Sequence, residues 1–258
     1  MRDWITASVI FFAYVGAAAL LVHGLPPKRR MLAAGGAAAG LLLAVAAHAA
    51  PPRAVLHDWV VPPLLLLIAY WSSGFLFAAP MAGAQRSLEA IDRVLDADGV
   101  AAATPRWFAE LLELAYLGVY PLVPIAFAVH LFGTARPDPE RFWTVILVTD
   151  FICFAFLPWI QTRPPRALRS GDPWQSRVRR VNLRLLGTAS IQANTFPSGH
   201  AAEAFAAALL VTGAPWPLVL SVGASALLVS AGTVLGRYHY AADALAGWAV
   251  AAFVWILL

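Results

Sequence analysis

Trp216-Pro-Leu-Val-Leu-Ser-Val-Gly-Ala-Ser-Ala-Leu-Leu-Val-Ser-Ala-Gly-Thr-Val-Leu235 runs for twenty residues without a charged side chain. At the rise of an α-helix, ~1.5 Å per residue, it reaches about 30 Å, the thickness of a bilayer's hydrocarbon core. Reading outward in both directions gives seven more apolar runs: Trp4–His23, Met31–Ala50, Val55–Ala79, Phe108–Phe132, Phe142–Gln161, Gly199–Thr212 and Tyr240–Leu258. Together they predict an all-α fold, a polytopic transmembrane helix bundle of about six to eight spans. Gly199–Thr212 is the short one, about 20 Å by helical rise, and has to cross obliquely or with help from its flanks. The first run follows Arg2, is longer than the apolar core of a signal peptide and ends at no clear cleavage site, so it reads as a span.

Composition agrees with lipid as the solvent. The chain of 258 residues is 60% hydrophobic and 12% charged, against about 25% charged in an ordinary soluble domain. Its 10 Trp and 6 Tyr suit anchoring at the two membrane–water interfaces. Cys153 is the single cysteine, so no intrachain disulfide forms; inside an apolar run it reads as a small buried hydrophobe. Without internal repeats or low-complexity linkers, 1–258 reads as one integral membrane domain. Its catalytic core covers about 106–258, with additional spans over 4–79.

Two segments are not spans. In Ala84–Asp96, Leu88, Ile91, Val94 and Leu95 share one helical face, with Arg86, Glu89, Asp92, Arg93 and Asp96 elsewhere. That pattern is an amphipathic helix in the interface, either a plain connector or a lid. Thr162–Pro197 carries Arg163, Arg166, Arg169, Arg177, Arg179, Arg180 and Arg184 against one acid, Asp172, and is too long for a simple hairpin. Eight crossings put Lys28–Arg30, the Arg86–Arg106 loop, this loop and Arg237 on one side, fourteen cations in all. Arg2, Arg53, Arg136 and Arg141 fall on the other. The positive-inside rule then places the richer side in the cytoplasm of a cell membrane, plasma or inner.

The same side receives three polar stretches at span ends. Thr162-Arg-Pro-Pro-Arg166 leaves the fifth run, Phe196-Pro-Ser-Gly-His200 enters the sixth, and Gly236-Arg-Tyr-His-Tyr-Ala-Ala-Asp243 enters the eighth. Ser198 is a natural N-cap, and free N–H groups at a helix start attract anions. Gly199 lets a ligand approach the backbone, and His200 in the first turn can reach it. His239 and Asp243, four residues apart, share a helical face, so the carboxylate can fix the imidazole tautomer and leave the other nitrogen free as nucleophile or base. Arg163, Arg166 and Arg237 supply the charge that clamps phosphoryl oxygens. Read one at a time, these residues are equally a structural cap, an interfacial histidine and snorkelling arginines; their convergence points to an anion cradle. A metal site from His200, His239 and Asp243 is disfavoured because the arginines repel a cation.

The three stretches resemble the signature motifs of the type 2 phosphatidic acid phosphatase superfamily, which read Lys-x6-Arg-Pro, Pro-Ser-Gly-His and Ser-Arg-x5-His-x3-Asp. Arg163-Pro164, Pro197 to His200, and His239 with Asp243 match, over roughly Arg163 to Gly247. Two positions depart: Phe156 stands where the family has Lys, and Gly232-Thr233 where it has Ser-Arg. Pro164-Pro165-Arg166, Arg237-Tyr-His-Tyr240 and, more weakly, Glu113–Tyr120 resemble a sub-branch of inositolphosphotransferases and sphingolipid head-group synthases. On that resemblance Arg166 and Arg237 would stand in for the missing Lys and Arg.

The resemblance implies a metal-free, cofactor-free mechanism on a lipid phosphate or pyrophosphate, with membrane lipids and no nucleic acid as partners. His239 attacks phosphorus to form a phosphohistidine, Asp243 orients it, and His200 is acid and then base. Arg163, Arg166, Arg237, Ser198 and the Gly199 amide hold the phosphoryl oxygens. Water as acceptor makes a phosphatase, and an alcohol makes a head-group transferase. A non-catalytic lipid-phosphate binder or transporter is the alternative from outside enzymology, prompted by the missing Lys. Glu203 tunes His200 or joins an ion pair, and Asp150 pairs inside the bundle.

Overall fold

The computed structural model describes residues 2–51 and 53–258. Among them the chain is all helix, with one isolated bridge between Thr162 and Asn194. The helices are α1 (Asp3–Leu21), α2 (Pro27–Ala49), α3 (Val61–Gly74, entered through a π turn), α4 (Ala82–Val94), α5 (Ala97–Ala103), α6 (Arg106–Gly133), α7 (Pro139–Ala155), α8 (Arg177–Ala189), α9 (Gly199–Leu210), α10 (Trp216–Leu235) and α11 (Ala241–Leu257). Five of the long segments, including α1, α2, α6 and α10, are long and apolar enough to cross a bilayer; α11 is a shorter apolar helix. The polytopic bundle read from the sequence is therefore the observed fold.

Caps set several starts. Asp138 accepts from Arg141 N–H at 2.9 Å ahead of α7, Ser176 from Arg179 N–H at 3.0 Å ahead of α8, and Ser198 from Ala201 N–H at 3.3 Å ahead of α9. Ile10, Leu42, Ile125, Leu220 and Phe253 remain exposed around the outside, as a bundle solvated by lipid requires.

The short α9 is the hub, packed by α6, α7, α10 and α11. Its length, 12 residues, gives about 18 Å. It needs no independent crossing because neighbours enclose it, and Ala201, Ala202, Ala204, Ala206 and Ala207 are all buried. Small residues let these helices approach closely. At Gly232 an added Cβ would stand 2.7 Å from the Leu112 carbonyl of α6. The helices α1 and α3 flank this group by packing on α7, and α2 packs on those two.

The segment read as one long Arg-rich loop is only partly a loop: residues 177–189 form α8. Its inner side presents Arg179, Asn182 and Leu186, all buried, to α6. Helix α4 is amphipathic as expected, but its buried face includes a charge. Asp92 is 3% exposed, whereas Ile91 and Val94 point outward. Asp92 accepts from Ala241 N–H at 3.0 Å and pairs with Arg169 at 3.0 Å, so α4 is pinned onto the start of α11.

Candidate active site

Backbone hydrogen bonds stitch the three polar stretches together. Arg166 N–H donates to the Arg237 carbonyl at 2.9 Å, joining the first to the third. Ser198 N–H donates to the Asp243 carbonyl at 2.9 Å, joining the second to the third. Asn194 N–H donates to the Thr162 carbonyl at 2.9 Å, joining the loop before α9 to the first. These bonds satisfy polar backbone that would otherwise be stranded at the span ends.

The result is a small polar pocket whose walls include Arg166, Gly199, His200 and His239, with Tyr116 and Tyr238 beside them. The two imidazoles stand 6.0 Å apart between ring centroids, at 79°. His239 occupies the turn between α10 and α11, fixed by its N–H to the Thr233 carbonyl at 2.8 Å. Its Nδ1 lies 3.5 Å from Asp243 Oδ2. That oxygen already accepts from Asn194 Nδ2 at 2.9 Å and from Tyr240 N–H at 2.8 Å, which orients the carboxylate from two sides. Burial, then the neighbouring His200 and Arg166, hold the His239 imidazole well below its ordinary value of 6.5, in the unprotonated form a nucleophile needs.

His200 is set by α9 itself. Its Nδ1 faces Glu203 Oε1, one turn on, at 3.5 Å, and Tyr116 and Tyr120 meet its ring edge-on at 5.7 and 5.9 Å. At Gly199 an added Cβ would lie 3.0 Å from the Phe154 ring and 3.1 Å from Asp150 Oδ1, so the backbone passes there without room for a side chain. The first N–H groups of α9 have no intrahelical acceptor and favour an anion in the pocket.

The arginines divide sharply. Arg166 reaches the pocket, with Nη1 donating to the Tyr238 carbonyl at 3.3 Å and its guanidinium over the Tyr238 ring at 5.7 Å. Arg163 is exposed; its backbone N–H is held by Gln85 Oε1 at 2.9 Å, and its side chain does not line the pocket. Arg237 has a left-handed backbone, φ 61°, and its side chain lies off the pocket. There it pairs with Asp98 at 2.9 Å and donates to the Gly171 carbonyl at 3.1 Å. Ser198 is fully buried and spends its oxygen on the cap. The expected cradle of three arginines and a serine is thus, geometrically, Arg166 with the start of α9. Phe156, at the position of the family Lys, is exposed and lies off the pocket.

One supporting network was not foreseen. Glu113 in α6 is 1% exposed and accepts from Tyr238 Oη at 2.6 Å, Asn182 Nδ2 at 2.7 Å, Trp174 Nε1 at 2.8 Å and Arg179 Nη1 at 2.9 Å. Arg179 Nη1 also donates to the Gly236 carbonyl at 2.9 Å. The turn that carries His239 is therefore braced from α6 and α8. A glutamate in an otherwise apolar run was the signal for it. Among the described residues no cluster of His, Cys, Asp and Glu is arranged to hold a metal ion.

Below the pocket a cleft of about 510 Å³ runs between α3, α6, α7, α8 and α9. Tyr70, Phe154 and His200 line both spaces, so cleft and pocket adjoin.

Fold and site define a membrane-embedded helix bundle with one chemically loaded face, where two histidines and an arginine share a pocket. The chain belongs to the type 2 phosphatidic acid phosphatase (PAP2) superfamily, whose family model matches residues 88–257. The match begins within α4, so the half of that helix carrying Asp92 lies inside it. No curated protein and no solved structure matches the chain significantly. Membership supports chemistry of the phosphatase or phosphotransferase type.

Proposed function

We propose that the protein is a membrane lipid phosphatase that removes a phosphoryl group from a lipid phosphate or pyrophosphate through a phosphohistidine at His239. The carrying observation is the buried His239 facing His200 across a pocket that also holds Arg166. In this reading His239 Nε2 attacks phosphorus while Nδ1 is directed at Asp243. The bond from phosphorus to the lipid oxygen breaks as His200 donates a proton to that oxygen. Water then attacks the phosphohistidine, His200 takes its proton, the P–N bond breaks and phosphate leaves. Arg166 and the start of α9 carry the charge on the equatorial oxygens, with no step assigned to a metal. Arg163 and Arg237 have no part, because neither side chain reaches the pocket. The apolar cleft beside His200 suits acyl chains entering from the bilayer.

The excess of cations on the site's face favours a cytoplasmic orientation in a cell membrane. A second reading, transfer of the phosphoryl-bearing group to an alcohol, is favoured by Arg166 reaching the pocket from Pro164-Pro165-Arg166, the form shared with the transferase-like branch.

The test is phosphate release from lipid phosphates in mixed micelles by the wild type and by His239→Ala. Loss of release in the variant is expected; unchanged release overturns the enzyme reading in favour of a binder or transporter. Phosphorylated alcohol as the main product when inositol is supplied makes the second reading the correct one.

A further inference from the structure

The wall of the cleft is apolar along Leu66, Leu67, Trp71 and Val123, and acidic at its inner end. There Asp150 of α7 faces Glu203 of α9. Asp150 is 1% exposed, and apart from the Glu203 carboxyl that it faces neither of its oxygens has a hydrogen-bond partner among the described residues. No Arg or Lys is among the cleft-lining residues. A buried acceptor without a donor is costly, and native structures nearly always supply one. Among the described residues the ionisable group that Asp150 faces is another acid, Glu203.

Depth says what could supply the donor. Helix α9 runs inward from the site face, so Glu203 lies about 4.5 Å below His200 by helical rise. Helix α7 runs the opposite way, and Asp150 precedes its end at Ala155 by more than a turn. The pair therefore runs from the level of Gly199, whose Cβ position is 3.1 Å from Asp150 Oδ1, down to Glu203 one turn deeper on the membrane side of the phosphoryl position. A lipid phosphate held between the histidines has the first carbons of its own backbone at this depth, and anything beyond the phosphate faces water.

We infer that Asp150 and Glu203 recognise hydrogen-bond donors on the lipid backbone beside the phosphoester. The preferred substrate is then a lipid phosphate with a free hydroxyl or amine there, not a fully acylated one. The inference rests on the lipid phosphatase reading and deepens it. A site built to satisfy a donor rejects the analogue that lacks it more strongly than a greasy wall rejects an extra methylene.

The test compares the full-length protein on three probes in mixed micelles. Lysophosphatidate has a backbone hydroxyl, a sphingoid base 1-phosphate has a hydroxyl and an ammonium, and dioleoyl phosphatidate has no donor. The wild type is expected to show kcat/KM at least about tenfold higher for the first two than for the third. Asp150→Asn is expected to shrink that ratio, mainly by raising KM for the donor-bearing probes. A larger effect on the sphingoid probe assigns the site to an ammonium, and an equal effect to a hydroxyl; both support the inference. Wild-type rates equal on all three probes overturn it without recourse to any variant, as does an Asp150→Asn protein that loses the same factor on each. Absence of hydrolysis of every probe by the wild type overturns the phosphatase reading first, and this inference with it.

Discussion

The backbone N–H of Ser198 donates to the carbonyl oxygen of Asp243 across 2.9 Å, tying the first turn of α9 to the first turn of α11. His200 and His239 face one another because these two helix starts are locked together. The lock depends on close approach: at Gly247, in the second turn of α11, an added Cβ would stand 2.6 Å from the Ser198 carbonyl. Gly247→Ala is expected to destabilise the protein by about 1–3 kcal/mol through overpacking and to lower activity by splaying the histidines. Thermal unfolding in detergent, followed by assay of the folded fraction, checks both effects.

Glu113 carries more of the stability than any arginine on the surface. Replacing it with Ala removes the buried partner of Arg179, which is 3% exposed and then keeps only the half-exposed Asp172 and the Gly236 carbonyl. Breaking a buried ion pair in this way costs about 3–5 kcal/mol. Glu113→Gln keeps acceptors for two of the donors and should lose less. Melting temperatures of the two variants should therefore rank Gln above Ala, both below wild type.

Arg166 and Arg237 should separate cleanly. Removing the single guanidinium that lines the pocket, by Arg166→Met, is expected to lower kcat/KM by about 10²–10³. Arg237→Met loses an ion pair whose partner Asp98 is half-exposed, a contribution of about 0–1 kcal/mol, and should leave kcat/KM near the wild-type value. The opposite ranking in steady-state kinetics would return Arg237 to the cradle.

The pH dependence follows from His239. Its folded-state value is held well below 6.5, by burial first and then by His200 and Arg166. The neutral, nucleophilic form therefore persists into mildly acidic solution, and the acid limb of kcat/KM against pH should fall below 6.5. Arg166→Met removes one of the depressing charges, so the residual activity of that variant should show an acid limb shifted upward. Stability has the matching sign. The unfolded chain binds the proton that the folded chain excludes, so His239 destabilises the fold progressively as pH drops below the ordinary histidine range.

Much of this was legible in the sequence, for identifiable reasons. Spans such as Trp216–Leu235 declare themselves because lipid tolerates no charge and a helix has a fixed rise. His200, His239 and Asp243 converge because span parity puts their helix starts on one face. Helix α8 was harder. Its arginines look like loop solvation, and what folds it inward is the partnership of Arg179 with Glu113, distant in sequence. The Ser176 cap and the run from Arg177 to Leu186 without Gly or Pro were the available signals. Which arginine lines the pocket was not legible, because motif spacing gives position along the chain but not the direction of a side chain. The left-handed turn at Arg237 and its partner Asp98 on a separate segment are tertiary facts.

The central claim is that His239 carries the phosphoryl group. The most direct measurement is rapid quenching of the protein with a ³²P-labelled lipid phosphate, followed by peptide mapping under alkaline conditions that preserve phosphohistidine. We expect label on the peptide containing His239, acid-labile, formed and discharged at rates matching turnover, and absent from His239→Ala. Label on a different residue, or a His239→Ala protein that still turns over the lipid, would contradict the account.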